Sequence, residues 1–240
     1  MKTKQAIETG TQITDLVAGG EPERAYALLS PVLKKRTPFD KLRLIGWPIG
    51  AAPQACTDPF INRIAADRTE GGWVIIASIL EKQLGRDLPG TLSRCRENML
   101  AGDVWYCCDI LAEGVAGSAL VSRFDEALER LKPWRTDENY WVRRAFGVGA
   151  HYWAKRSQGA EPQKAAELLQ LLEPMFEERV MEAVKGIGWG LKTLGRYYPD
   201  LISDWLTVQV LQEKRPHRKI ILRKACTYLP DEQRALFENV

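Results

Sequence analysis

Two tryptophans, an aspartate and an arginine are the residues of this 240-residue chain from which a chemical site could be assembled. Trp105 and Asp109 lie four apart, so a helix would put them on one face. In the segment 181–196, Lys185, Trp189, Lys192 and Arg196 recur at helical spacing as one stripe, and Val184, Ile187, Leu191 and Leu194 form the opposite one. Trp189 is thereby placed among cations and away from the aliphatic side. In the segment 137–156, Arg144, His151 and Lys155 share one face, and Trp141, Ala145, Val148 and Tyr152 share another. Rings interleaved with cations suit a polyanion, because cations meet phosphates while rings meet bases or sugars.

Plainer readings stand beside this one. Trp47, Trp73, Trp134, Trp141, Trp153 and Trp205 read as core, and Trp105 and Trp189 are open between core and site. A carboxylate one turn from a tryptophan can be merely solvated, and Arg143 with Arg144 can be an ordinary exposed pair. Cys107 and Cys108 read as small core fillers. His151 reads as a structural or phosphate-neighbouring group rather than a general base.

The elements that must position these groups show helical periodicity over 22–35, 73–85, 89–100, 103–116, 122–132, 137–156, 163–172, 177–197, 200–213 and 218–228. Breaks fall at Gly19-Gly20-Glu21-Pro22, Leu88-Pro89-Gly90, Lys132-Pro133, Glu161-Pro162 and Tyr198-Pro199-Asp200. The stretch from Gly46 to Pro59, rich in Pro, Gly and Ala, shows no clear pattern. No strand pattern of any length survives, so the fold class is all-α. Val104, Val142, Val184 and Leu222 begin similar short motifs at intervals of 38, 42 and 38 residues. That period predicts a HEAT-like helical-repeat solenoid with a concave, basic groove, a single domain over 1–240 that is best supported over 70–230. Gly186, Gly188 and Gly190 each cost a helix interior about 1 kcal/mol relative to alanine, which suggests that another backbone approaches closely there.

Composition narrows the function classes. Hydrophobic residues are 45% and charged residues 27%, ordinary for a folded soluble chain. The net charge of +3 is too mild to announce a nucleic-acid binder by itself. All of the excess lies in residues 121–240, and Lys214, Arg215, Arg218, Lys219, Arg223 and Lys224 face only Glu213 within 211–224. The most apolar run, Trp73 to Leu80, is far short of the roughly 20 residues that span a bilayer. No signal-peptide core follows Met1, and the five cysteines and two histidines lack metal-ligand spacing. There is no Walker loop, and Gly186-Ile187-Gly188-Trp189-Gly190 lacks dinucleotide-binding spacing. The expectations are a cytoplasmic, reduced chain with no metal, no cofactor and no membrane partner.

At these residues the sequence resembles the DNA alkylation repair glycosylases of the AlkD-like family, built from HEAT-like repeats. The match runs through Ala183-Val184-Lys185-Gly186-Ile187-Gly188-Trp189-Gly190-Leu191-Lys192 and Tyr198-Pro199-Asp200, through Trp105-Tyr106-Cys107-Cys108-Asp109, and through Asn139-Tyr140-Trp141-Val142-Arg143-Arg144-Ala145. Leu222-Arg223-Lys224-Ala225 is a weaker match, and Tyr26 falls within about one position of a cleft tyrosine. Lys192 stands where the family usually has arginine, and the Cys107-Cys108 pair is a second departure. The resemblance implies hydrolysis of the N-glycosidic bond of cationic alkylpurines in base excision repair. It assigns Asp109, Trp105, Trp189 and Arg144 to catalysis. Arg143, His151, Lys155, Lys185, Lys192, Arg218, Lys219, Arg223, Lys224 and Tyr26 are the expected DNA contacts. The implied partner is double-stranded DNA with alkylated bases, bound by a monomer. A non-catalytic binder of DNA structures and a protein–protein HEAT scaffold are the alternatives.

Overall fold

The computed structural model describes residues 1–238. It is all-α, with no strand among the described residues. In chain order the helices are α1 (Thr3–Ala18), α2 (Pro22–Leu33), α3 (Phe39–Ile49), α4 (Gln54–Ala66), α5 (Glu70–Gln83), α6 (Leu88–Gly102), α7 (Trp105–Leu111), α8 (Ser118–Ser122), α9 (Phe124–Leu131), α10 (Tyr140–Ser157), α11 (Pro162–Leu172), α12 (Met181–Tyr197), α13 (Pro199–Leu206), α14 (Lys219–Ala225) and α15 (Asp231–Ala235). Four of the five breaks read from the sequence are where helices begin, and at Lys132-Pro133 α9 ends in a 3-10 turn. Prolines sit in the first turns of α2, α6, α11 and α13, where their missing N–H removes no helical bond. Thr69, Asp87 and Asn139 cap α5, α6 and α10 by accepting from the backbone N–H of Gly72, Gly90 and Trp141 at 3.1, 2.9 and 2.8 Å.

The chain divides into two compact units, Met1–Val115 and Ala116–Val240. In the first, α1, α3, α5 and α7 pack in succession, and α2, α4 and α6 form a second row behind them. In the second, α8, α10, α12 and α14 form one row, and α11 and α13 lie against α10 and α12. The side-chain bonds between neighbours carry the repeat. Within the first unit the Tyr26 hydroxyl donates to the Asp67 carboxylate 41 residues on, and Arg63 Nε donates to Glu23, 40 residues back. Within the second, Arg144 reaches the Glu182 carbonyl over 38 residues, and Lys224 reaches the Lys185 carbonyl over 39. A period near forty residues is therefore a property of the contacts as well as of the motifs.

Helices α1, α3, α4 and α15 went unread in the sequence, and α8 falls almost wholly between two segments that were read. The helix α1 is polar over most of its surface, and α3 and α4 carry Pro48 and Pro59 inside them. An interior proline breaks the helical pattern and normally costs about 3 kcal/mol, so packing must hold these two helices together. The segments read over 103–116 and 200–213 are each interrupted. Helix α7 widens into a π-helical turn at Ala112–Gly117, and α13 does the same at Thr207–Gln212. Trp47 corrects its core assignment: it is 44% exposed, with Lys82 Nζ 5.0 Å from its ring centroid. Trp73, Trp134, Trp141 and Trp153 are buried as expected, and Trp205 is partly so. No helix among the described residues is long and apolar enough to cross a membrane.

Candidate functional site

In the first unit the site residues stand on α7. Asp103 ends α6 in a left-handed conformation (φ 47°), which an aspartate tolerates, and α7 starts two residues later at Trp105. Cys107, Cys108 and Leu111 on the inner side are fully buried and clamp the helix. That leaves Trp105 57% exposed, with Asp109 partly exposed one turn on. The Tyr106 ring meets the Trp105 ring edge to face at 5.7 Å, and the Tyr106 hydroxyl donates to the Arg68 carbonyl at 3.4 Å. The indole is thus flanked by a second ring that the sequence reading did not single out. Burial pushes the Cys107 thiol up to about 12 despite the nearby Arg68 charge, so it stays protonated and inert.

In the second unit α10 and α12 are the structural centre, and glycines decide how closely they lie. A Cβ on Gly186 would come within 2.6 Å of the Arg144 side chain and carbonyl, and one on Gly190 within 2.5 Å of the Gly147 carbonyl. The close backbone approach expected from the glycines is present at Gly186 and Gly190, where it is directed at α10, whereas Gly188 faces the Lys224 side chain of α14. Above this seam the Lys185, Trp189, Lys192 and Arg196 stripe is wholly or partly exposed, and Val184, Ile187, Leu191 and Leu194 are fully buried. The Trp189 indole stacks on the His151 imidazole, centroids 4.1 Å apart and planes inclined by 26°. His151 Nδ1 lies 2.6 Å from Thr193 Oγ1, which in turn donates to the Trp189 carbonyl at 3.2 Å.

The expected cationic face of α10 needs correction. Only Lys155 is exposed; Arg144 and His151 are each 7% exposed, with α12 packed against both. Arg144 Nη1 donates to the Glu182 carbonyl at 2.9 Å. Burial, reinforced by the Lys155 charge, pushes His151 down to about 4, so it is neutral at physiological pH and brings a ring rather than a charge. Arg143 is engaged internally. Its Nε donates to the Glu178 carboxylate at 2.6 Å and its Nη1 to the carbonyls of Asp137 and Glu138 at 2.6 and 3.0 Å. Tyr26 is likewise buried, bonded to Asp67 and covered by the Arg63 guanidinium 3.7 Å from its ring. Arg215, one of the basic run, is braced by Glu177, Glu173 and Gln209.

The remaining candidates keep surface positions in the second unit. Lys155, Lys185, Arg218, Lys219 and Arg223 are exposed, and Lys192 and Lys224 are partly so. A residue missed in the sequence joins them. Tyr228 is exposed, with Lys192 Nζ 5.1 Å and the Arg196 guanidinium 5.2 Å from its ring. Its signal was weak, because it lies past the end of α14 in a short 3-10 turn outside any helical stripe. No group of three or more metal-ligating side chains occurs among the described residues.

The fold and these side chains define an all-α chain of paired helices with an exposed tryptophan, Trp105, beside a carboxylate in one unit and a partly exposed one, Trp189, among cations in the other. Residues 73–229 match the family of DNA alkylation repair enzymes, and the chain belongs to that family. Comparison with curated proteins and with solved structures returns no match.

Proposed function

We propose that the chain is a monofunctional DNA glycosylase that hydrolyses the N-glycosidic bond of cationic alkylated purines, such as 3-methyladenine and 7-methylguanine, in duplex DNA. The observation that carries this reading is the exposed Trp105 with Asp109 one turn away, in a member of an alkylation repair family. Four other tryptophans of the chain are buried, and of the two exposed ones Trp105 is the more open and the one that has a carboxylate one turn away.

An N-alkylated purine already carries positive charge and leaves readily, so the protein has mainly to stabilise the sugar. As the C1′–N bond breaks, its electron pair neutralises the base and C1′ becomes an oxocarbenium ion. Asp109 opposes that charge and orients the water whose oxygen bonds to C1′ while its proton passes to solvent. Trp105, beside Asp109 in the first unit, and Trp189, among the cations of α12 in the second, each offer a ring face for stacking and cation–π attraction, worth about 0.5–2 kcal/mol apiece. Arg144, fixed by the Glu182 carbonyl, supplies a positioned positive charge for a phosphate of the DNA backbone. Lys155, Lys185, Lys192 and Arg223 meet the backbone further out. No lysine adjoins Asp109 in the sequence, which argues against Schiff-base strand cleavage.

The test is release of 7-methylguanine and 3-methyladenine from methylated duplex DNA by wild type and by Asp109→Asn. Release by wild type alone supports the reading. Equal release by both removes Asp109 from the mechanism. Salt-sensitive duplex binding without release by either identifies a non-catalytic DNA binder instead.

A further inference from the structure

We infer that His151 and Thr193 form a positioning pair for Trp189, the imidazole backing the indole and the threonine hydroxyl fixing the imidazole, so that the indole is presented to a cationic nucleotide in one orientation. The inference rests on the glycosylase reading and adds to it two residues that touch neither the sugar nor the base.

Three observations support it. The stacking is close, 4.1 Å between centroids with planes 26° apart, and it is one aromatic surface behind another, partly exposed one. The hydrogen bonding then anchors the ring. Thr193 Oγ1 lies within hydrogen-bond distance of both His151 Nδ1, at 2.6 Å, and the Trp189 carbonyl, at 3.2 Å, with the donor at the first contact set by the imidazole tautomer. The same hydroxyl thus ties the imidazole to the backbone of the residue it supports. Lastly, the pair is built into the repeat. Val142 and Val184 start equivalent motifs 42 residues apart, and His151 and Thr193 both lie nine positions further along.

The electrostatics suit the role. An imidazolium behind the indole would occupy its π-face as a cation and repel an incoming alkylpurine cation. A ring held neutral by burial leaves the indole's quadrupole available, and His151 is pushed down to about 4. If filling space were all that the position required, a branched aliphatic side chain would meet it without a hydrogen bond to satisfy.

Two readouts on the full chain test this. One is base release from methylated duplex DNA. The other is quenching of the Trp189 emission, taken as wild type minus Trp189→Phe, by 7-methylguanosine in its cationic form. The variants are His151→Leu, which fills space without a ring, His151→Phe, which keeps the ring, and Thr193→Val, which removes only the anchor. Loss of one aromatic pair predicts a two- to tenfold weakening, about 0.5–1.5 kcal/mol, in both readouts for His151→Leu. His151→Phe should recover most of it, and Thr193→Val should fall between. A wild type that quenches but releases no base overturns the glycosylase reading and leaves this inference standing if His151→Leu still loses quenching. Absence of quenching in wild type, or His151→Leu and His151→Phe behaving alike in both readouts, overturns the inference whatever the activity.

Discussion

Acidification should remove a definable part of the stability of this fold through His151. The folded protein holds the imidazole near pKa 4, against 6.5 when unfolded, chiefly because burial penalises the charged form. As pH falls below 6.5 the unfolded chain takes up a proton that the folded chain refuses, so stability contributed at neutral pH declines until about pH 4, where the native ring titrates too. Between pH 7 and pH 5 this linkage is worth about 2 kcal/mol, since each unit of separation corresponds to about 1.4 kcal/mol. Carboxylates titrate in the same range, and their contribution must be subtracted. Urea unfolding of wild type and His151→Phe at both pH values does so, because the variant keeps every carboxylate and lacks the imidazole. Wild type should lose about 2 kcal/mol more than the variant. Equal losses would mean that the native imidazole is accessible to protons, and the account of a ring kept neutral by burial would be wrong.

Arg143→Ala should cost about 3 kcal/mol in thermal or urea unfolding, because it strands the Glu178 carboxylate, whose side chain is only 10% exposed; duplex affinity should hardly change. A large affinity loss with intact stability would restore Arg143 to the DNA-facing set. Gly190→Ala should destabilise by about 1–3 kcal/mol despite alanine's better helix propensity, because its methyl would meet the Gly147 carbonyl at 2.5 Å. The control is Gly85→Ala, where nothing lies within 4 Å and calorimetry should register a neutral or slightly stabilising change. Lys185→Ala and Arg223→Ala, both at exposed positions, should each lower the slope of log affinity against log salt by about 1 while leaving base selectivity alone.

Much of this was legible in the chain, and what was not has a common physical cause. The α12 stripe could be read because four cations or rings and four aliphatics alternate at 3.6-residue spacing, and each falls on the side its type requires. The all-α class and the forty-residue period followed from the same regularity. The α10 assignment failed for Arg144 and His151 because periodicity reports which residues share a face, not whether a neighbouring helix covers that face. Here α12 packs against Arg144 and His151 and leaves only Lys155 of the stripe in solvent. Arg143 and Tyr26 were misjudged for a related reason. Their partners, Glu178 and Asp67, are 35 and 41 residues away, and no local window contains them.

The glycines of α12 connect these points. A helix meant only for support would carry alanine at 186, 188 and 190 and gain about 1 kcal/mol at each in helix propensity. It would also stand further from α10, since a Cβ at 186 or 190 collides with Arg144 or with the Gly147 carbonyl. At that greater distance the His151 ring could not lie 4.1 Å from the Trp189 ring, nor Nδ1 lie 2.6 Å from Thr193 Oγ1. The least stable part of the helix by propensity is therefore the part that sets the spacing of the aromatic pair. Gly190→Ala consequently makes a claim on function too: the Trp189 quenching described for His151→Leu should weaken in Gly190→Ala, although the substituted residue touches neither ring. Unchanged quenching would show that the rings hold each other without the glycine seam.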